Sequence, residues 1–330
     1  MGLIHRRVMP KKEKTKFPKT LRKSIAKHDW ISLGLVIFGW CCYLLAAFMI
    51  SSSVFAMINN ERIQASVSQS VEQAVKAWPA ADQKAQYDRA KQYNSTLGDL
   101  TKHPMGDEIV GGVAEEPDDP TYMDALNVNK SGAMGVLKIP SISSEMPVYH
   151  TTTDEVLGNG VGHVYGTYLP LGEKGSLAAL AAHSGGVNGL FFTRLAQLKV
   201  GDPFYFTTLG KEMAYKVTKI QTVRPEDLGK TLEGDYDPDK AQMSLITCAP
   251  IGINSHRLVV TGELAEMPGE VPYPNEVKDR TKEAAIIAII VFLTLVLVAI
   301  IVVKIWRVVK EKRAKRKAEI QNDNTLEVNK

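Results

Sequence analysis

The sequence predicts a mainly β domain preceded by helices, with an apolar helix near each end of the chain. Three observations lead there. Two long uncharged runs lie near the ends, each beside a dense cluster of Lys and Arg. Between residues 135 and 264, short β-branched runs alternate with Gly, Pro, Asn and Asp, the texture of a barrel or sandwich. Residues 61–100 instead carry apolar side chains at three- and four-residue spacing, the signature of helix.

The ends come first. The 330 residues carry a net charge of only +4, but it is unevenly spread. Arg6, Arg7, Lys11, Lys12, Lys14 and Lys16 belong to one basic cluster, and Lys310, Lys312, Arg313, Lys315, Arg316 and Lys317 to another. Such blocks often bind nucleic acid, but here their neighbours argue for a membrane. ISLGLVIFGWCCYLLAAFMISSSVFAMI, within 30–58, and AAIIAIIVFLTLVLVAIIVV, 284–303, hold no charged residue. Each can cross a hydrocarbon core of roughly 30 Å. Excess Lys and Arg marks the cytoplasmic side of a span, and both clusters lie towards the termini. The expectation is a two-span cell-membrane protein with both termini in the cytoplasm and its folded domain on the extracellular side. The first run exceeds the usual signal-peptide core of about 7–15 residues. Val54-Phe55-Ala56 would pass as a cleavage site, but an uncleaved anchor is the favoured reading.

Next come the elements between. Ile63, Val67, Val71, Ala74, Val75 and Trp78 define one helix face, and Pro79 ends or kinks that helix. A second helical piece near 82–97 carries Tyr87, Ala90 and Tyr93. Residues 102–134, rich in Gly, Pro and acids, lack periodicity and read as a long loop. Strands are expected at 135–139, 146–149, 176–182, 203–208, 212–223, 242–248 and 257–264, with a short helical insert at 191–198. No internal repeat or heptad array is present.

The chemistry rests on one cysteine. Cys41 and Cys42 lie in the first apolar run, which leaves Cys248 alone in the exported part. It therefore has no internal disulfide partner there, and is either a buried core residue or a reactive thiol. A catalytic thiol needs ionisation, a proton donor for the leaving group, and positive charge for an oxyanion. Arg257 stands nine residues later, across SLITCAPIGINSHR. If 242–248 and 257–264 are adjacent antiparallel strands, Cys248 and Arg257 lie side by side. The arginine would then favour the thiolate and offer N–H donors to a carbonyl oxygen. Alone, it could equally be a surface strand residue. Four histidines compete for the third role. His183 sits past an apolar strand in LAALAAHSGG and leads on spacing. His256 should point to the opposite face from Arg257, and His150 and His163 lie in other loops. No zinc spacing, Walker loop or dinucleotide glycine loop is present, so no cofactor or metal is expected.

Together these residues resemble the sortases, membrane-bound cysteine transpeptidases of Gram-positive bacteria, over about residues 85–264. The family's Thr-Leu-x-Thr-Cys stands here as Ser244-Leu245-Ile246-Thr247-Cys248. APIGINSHR, GVLKIPSI (135–142), LGNGVGHVYGTYLPLGEKGS (157–176) and LFFTRLAQLKVGD (190–202) are close to the class C, pilin-polymerising branch. The resemblance implies an eight-stranded β-barrel with N-terminal helices. It implies Cys248 as nucleophile, His183 as general acid/base and Arg257 as oxyanion or substrate-carbonyl ligand. Ser184 comes after the histidine where the family usually has arginine. The implied substrate is a pilin or surface protein with an LPxTG-like sorting signal, cut between Thr and Gly through a thioacyl-enzyme and joined to a pilin lysine.

Pilin-type members often carry a lid with an Asp-Pro-aromatic motif. Asp119-Pro120-Thr121-Tyr122 is the match, its aromatic one residue late. By resemblance Asp119 pairs with Arg257 and Tyr122 covers Cys248; the other reading is an acidic solvated loop. The expected order is then a basic cytoplasmic N-terminus (1–29), transmembrane helix (30–58), helical region (59–101), lid-like loop (102–134), catalytic barrel (135–264), linker (265–283), transmembrane helix (284–303) and basic tail (304–330). Three alternatives stay open: a housekeeping sortase that anchors proteins to a cell-wall precursor, a hydrolytic cysteine protease, and a non-enzymatic membrane-tethered scaffold.

Overall fold

The structure is a computed structural model that describes residues 19–97, 117–127, 132–185, 191–269 and 280–328. The chain divides into Met1–Ser52 and Ser53–Lys330, and the barrel with its packed helices lies within the second unit.

Helix α1 (Lys19–Ala77) runs from the first apolar stretch into the helical region. Its described apolar segment is Ile37–Met49, shorter than the roughly 20 residues a span needs. The first of the two expected spans is therefore not shown. Further along α1, Gln64, Ser68, Val71 and Val75 are buried, a stripe at helical spacing. Val71 packs on Ala133 and Val136. Glu72 pairs with Lys138 at 2.6 Å and Glu61 with Arg194 at 2.5 Å. The helix stops before Pro79, which has no N–H to continue it. Gln83 Nε2 donates to the C=O groups of Val75 and Trp78 there. Helix α2 (Ala80–Leu97) buries Ala90, Tyr93, Asn94 and Leu97. Asn94 bonds both the N–H and the C=O of Leu169, at 2.8 and 3.0 Å.

Part of the expected loop is helical. Pro120–Asp124 forms α3, with Asp119 as its N-cap accepting from the Tyr122 N–H. Proline suits the first turn, where its missing N–H costs nothing. Residues 102–116 of that loop lie outside the described residues.

Eight strands complete the domain: β1 (Ala133–Ile139), β2 (Ser144–His150), β3 (Val161–His163), β4 (Ser176–Ala181), β5 (Pro203–Thr208), β6 (Lys211–Val223), β7 (Ala241–Ala249) and β8 (His256–Ala265). They close into a barrel in the order β1-β2-β3-β4-β7-β8-β6-β5. The β2–β3 and β4–β7 pairs are parallel and the rest antiparallel. Closure leaves no free sheet edge. Phe192, Phe204, Phe206 and Tyr215 are among the large side chains fully buried in the core. Helix α4 (Asp154–Asn159) makes the parallel β2–β3 crossover, and α5 (Leu228–Asp235) lies between β6 and β7.

The expected helical insert at 191–198 is instead a turn leading into one 3-10 turn, Leu195–Gln197. Helix α6 (Arg280–Val328) closes the described chain. Its segment Ile286–Arg313 is, among the described residues, the one long and apolar enough to cross a membrane.

Candidate active site

Strand register brings Cys248 and Arg257 together and carries the chain of β4 towards them. Strands β7 and β8 pair Cys248 with Arg257 directly. Strand β4 pairs with β7 from Ser176–Ala241 to Ala181–Ile246. The pairing stops short of His183; the same offset, carried two residues past its end, would bring His183 opposite Cys248. Directly paired residues share a face of the sheet, and neighbouring strands lie about 4.8 Å apart. Cys248 and Arg257 thus lie side by side at one end of the barrel, and the segment carrying His183 runs to the same end.

Hydrogen bonds continue this pairing past the end of β4. The Ala182 N–H donates to Ile246 C=O at 3.1 Å. Thr247 Oγ1 donates to Ala182 C=O at 2.7 Å, and Ser184 Oγ to Cys248 C=O at 2.6 Å. Gly185 turns the chain with φ +76°, and a Cβ there would lie 2.4 Å from Ile251 Cγ2. Only glycine lets the loop after His183 nest against the loop after Cys248.

Cys248 and Arg257 are each only 8% exposed, and His183 is half-buried. Arg257 Nη1 donates to the C=O groups of Asn254 and His256, at 3.0 and 3.1 Å, which orients the fork. Burial pushes the Cys248 thiol above its ordinary pKa, and the Arg257 charge opposes that shift without cancelling it. Arg257 favours the thiolate, as its pairing with Cys248 leads one to expect. Desolvation is nevertheless the larger effect.

The other histidines fall elsewhere. His256 pairs with Ala249, one step on from Cys248 and so on the opposite face, with Nδ1 at 2.9 Å from Ser255 Oγ. His150 and His163 are buried with Tyr122. The contacts the structure gives Tyr122 are with these groups, and none is with the thiol. Its side chain is 0% exposed. Its hydroxyl lies 3.0 Å from His163 Nδ1 and accepts from the Thr151 N–H. Its ring packs against Tyr93, His150, His163 and Tyr165. His163 pairs with Leu180, and Leu180 with Leu245, three residues before Cys248 and two strands over. Asp119 caps α3 and accepts from Tyr165 Oη at 3.1 Å. The pair fastens a helix to the barrel. Among the described residues, no cluster of His, Cys, Asp and Glu could hold a metal ion.

Comparison with known proteins agrees with this geometry. A model of the sortase domain matches residues 137–265. Sortase A of Bacillus anthracis is 35% identical over 153 residues, which cover 46% of this chain and 70% of that protein. The crystal structure of sortase C-1 from Actinomyces oris superposes with a TM-score of 0.51 at 35% identity, over 57% of this chain and 99% of that one. Sortase C-1 from Streptococcus pneumoniae gives 0.54 at 30% identity, over 62% and 100%. The chain belongs to the sortase family. It is a cysteine transpeptidase, of a family that acts on LPxTG-type signals of surface proteins.

Proposed function

We propose that this enzyme is a class C sortase that cuts an LPxTG-like signal between Thr and Gly and joins the Thr to a pilin lysine. The observation that carries the reading is the direct pairing of Cys248 with Arg257, with His183 two residues past the end of the strand that runs beside β7. The likeness to two solved sortase C-1 structures supports the pilin branch.

In the proposed cycle Cys248 Sγ gives its proton to His183 and attacks the Thr carbonyl carbon. The oxygen becomes an oxyanion facing the Arg257 guanidinium, which stabilises the charge most where it is greatest. His183 then protonates the Gly nitrogen, the C–N bond breaks, and a thioacyl-enzyme is left. A lysine amine attacks this thioester and passes one proton to His183. The new amide forms and the thiol is restored. A thiol raised by burial suits the scheme, because its proton leaves as the attack occurs. The catalytic domain lies outside the cell, tethered by α6 and by the apolar part of α1, with the basic ends inside.

The test is ligation by the full-length enzyme in detergent micelles, given an LPxTG peptide and a second peptide with one lysine. The expected product, read by mass, is the isopeptide-linked pair. Exclusive transfer to a cell-wall-type peptide amine would point to the housekeeping role. Hydrolysis alone, with every amine refused, would contradict the transpeptidase reading of the site.

A further inference from the structure

The β4–β7 ladder ends with the Ala182–Ile246 bond, and His183 lies beyond it. Past His183 the chain turns away at once through Gly185. A histidine on such a departing segment has no ladder to hold it. Two side-chain bonds tie it to β7, one on each side of His183, while Gly185 N–H donates to Thr193 Oγ1 on the loop side at 2.8 Å. Thr247 Oγ1 reaches Ala182 C=O, and Ser184 Oγ reaches the carbonyl of Cys248 itself. Both join the histidine's segment to the strand that carries the thiol. Thr247 is 2% exposed and packed in place; Ser184 is half-buried, at the mouth of the site.

We propose that Ser184 is a positioning residue that sets the distance from the His183 imidazole to the Cys248 sulfur. The inference rests on the catalytic roles proposed for those two residues. The Ser184 hydroxyl donates its proton to the main chain of Cys248, so its positioning role acts through that bond. Its loss would let the segment after Ala182 pivot, while the Phe192 N–H to His183 C=O bond at 3.0 Å keeps the loop attached. The consequence is a misplaced imidazole in an otherwise folded enzyme. Proton transfer is sensitive to such displacement: an error near 1 Å can cost about 10²-fold in rate.

The experiment compares Ser184→Ala and Ser184→Thr in the full-length enzyme in detergent, using an LPxTG peptide. For Ser184→Ala the expected result is a fall in kcat of about 10- to 100-fold, with KM and melting temperature close to wild type. Ser184→Thr keeps the hydroxyl and should restore most of kcat. Wild-type kcat in Ser184→Ala would overturn the proposal, and so would a threonine variant as impaired as the alanine one while still melting normally. If Ser184→Ala loses its cooperative melt, Ser184→Thr decides alone: near-wild-type kcat supports the proposal and a large loss with normal melting overturns it. Failure of the wild-type enzyme to form a Cys248 adduct is a separate result, which would reject the catalytic assignment itself.

Discussion

Two polar clusters sit on one barrel and differ in how completely their groups are satisfied. In the first, His163 has Nδ1 at Tyr122 Oη and Nε2 at Tyr168 C=O. His150 lies between the carbonyls of Gly132 and Ala125, and its neutral ring donates to one of them. Burial pushes His163 down to about 4. In the second cluster, His183 stays half-exposed, and among the described residues neither of its ring nitrogens has a hydrogen-bond partner. Cys248 keeps a little exposure. Groups that are fully engaged hold the fold. Groups that are placed but unengaged are available to a substrate.

The largest effects should come from breaking that division of roles. Cys248→Ala should abolish turnover. His183→Ala should lower kcat by about 10²- to 10⁴-fold, as for other general acid/base residues. Arg257→Ala should lower it by about 10²- to 10³-fold, as for loss of an oxyanion donor. His163→Asn should instead leave kcat of the folded enzyme nearly unchanged and lower stability by about 1–3 kcal/mol, the cost of stranded buried polar groups. Steady-state kinetics and denaturant melts on all four variants separate the two patterns. A catalytic loss at His163 as large as that at His183 would erase the comparison.

The pH dependence of stability sharpens it. In the unfolded chain His163 titrates near its ordinary value of 6.5, and in the fold near 4. Between these values the unfolded state binds a proton that the folded state refuses. Stability is therefore unaffected above about pH 7 and falls as pH drops, by about 1.4 kcal/mol per unit and towards 3 kcal/mol near pH 4. Melts from pH 7 to 4 should show the slope in wild type, and His163→Asn should reduce it, leaving the share of His150, which burial also pushes down.

A smaller effect concerns the contact of α1 with the barrel. Glu72 meets Lys138 with side chains 20% and 9% exposed. Glu72→Gln leaves the lysine charge without its counter-ion and should cost about 1–2 kcal/mol, less than a fully buried pair because water still reaches the carboxylate. Activity at 25 °C should not change. The smallest effect is on the thiol in the free enzyme. Because burial raises its pKa, alkylation by iodoacetamide should climb with pH and not level off until above the ordinary thiol range. Arg257→Ala should slow it several-fold at neutral pH, since a lowering charge is removed.

How much of this was legible in the sequence depends on whether the information was local. Seven strands announced themselves by short apolar or β-branched runs between turn residues. Strand β3 did not, having three residues with a glycine in the middle and another just before it. That Cys248 faces Arg257 came from hairpin geometry, since only the short loop APIGINSH separates the strands. The place of His183 did not. It depends on a parallel pairing of β4 with β7 across a long crossover, whose register no short motif fixes. Family resemblance supplied that residue where spacing could only rank it. Asp119-Pro120-Thr121-Tyr122 shows the reverse case. Asp119 caps a short helix there, a start signal that neither the lid nor the loop reading used, and the Tyr122 ring packs against His150 and His163. The role of Ser184 gave no sign at all, since its bond to Cys248 exists only once the strands are paired.

The central claim is that His183, Cys248 and Arg257 perform acyl transfer, and intact mass tests it most directly. The full-length enzyme in detergent, incubated with an LPxTG peptide and no amine, should gain the mass of the peptide cut after Thr. Cys248→Ala should gain nothing, and Tyr122→Phe should still form the adduct. An adduct that persists without Cys248, or none in the wild type across a range of such peptides, would contradict the account.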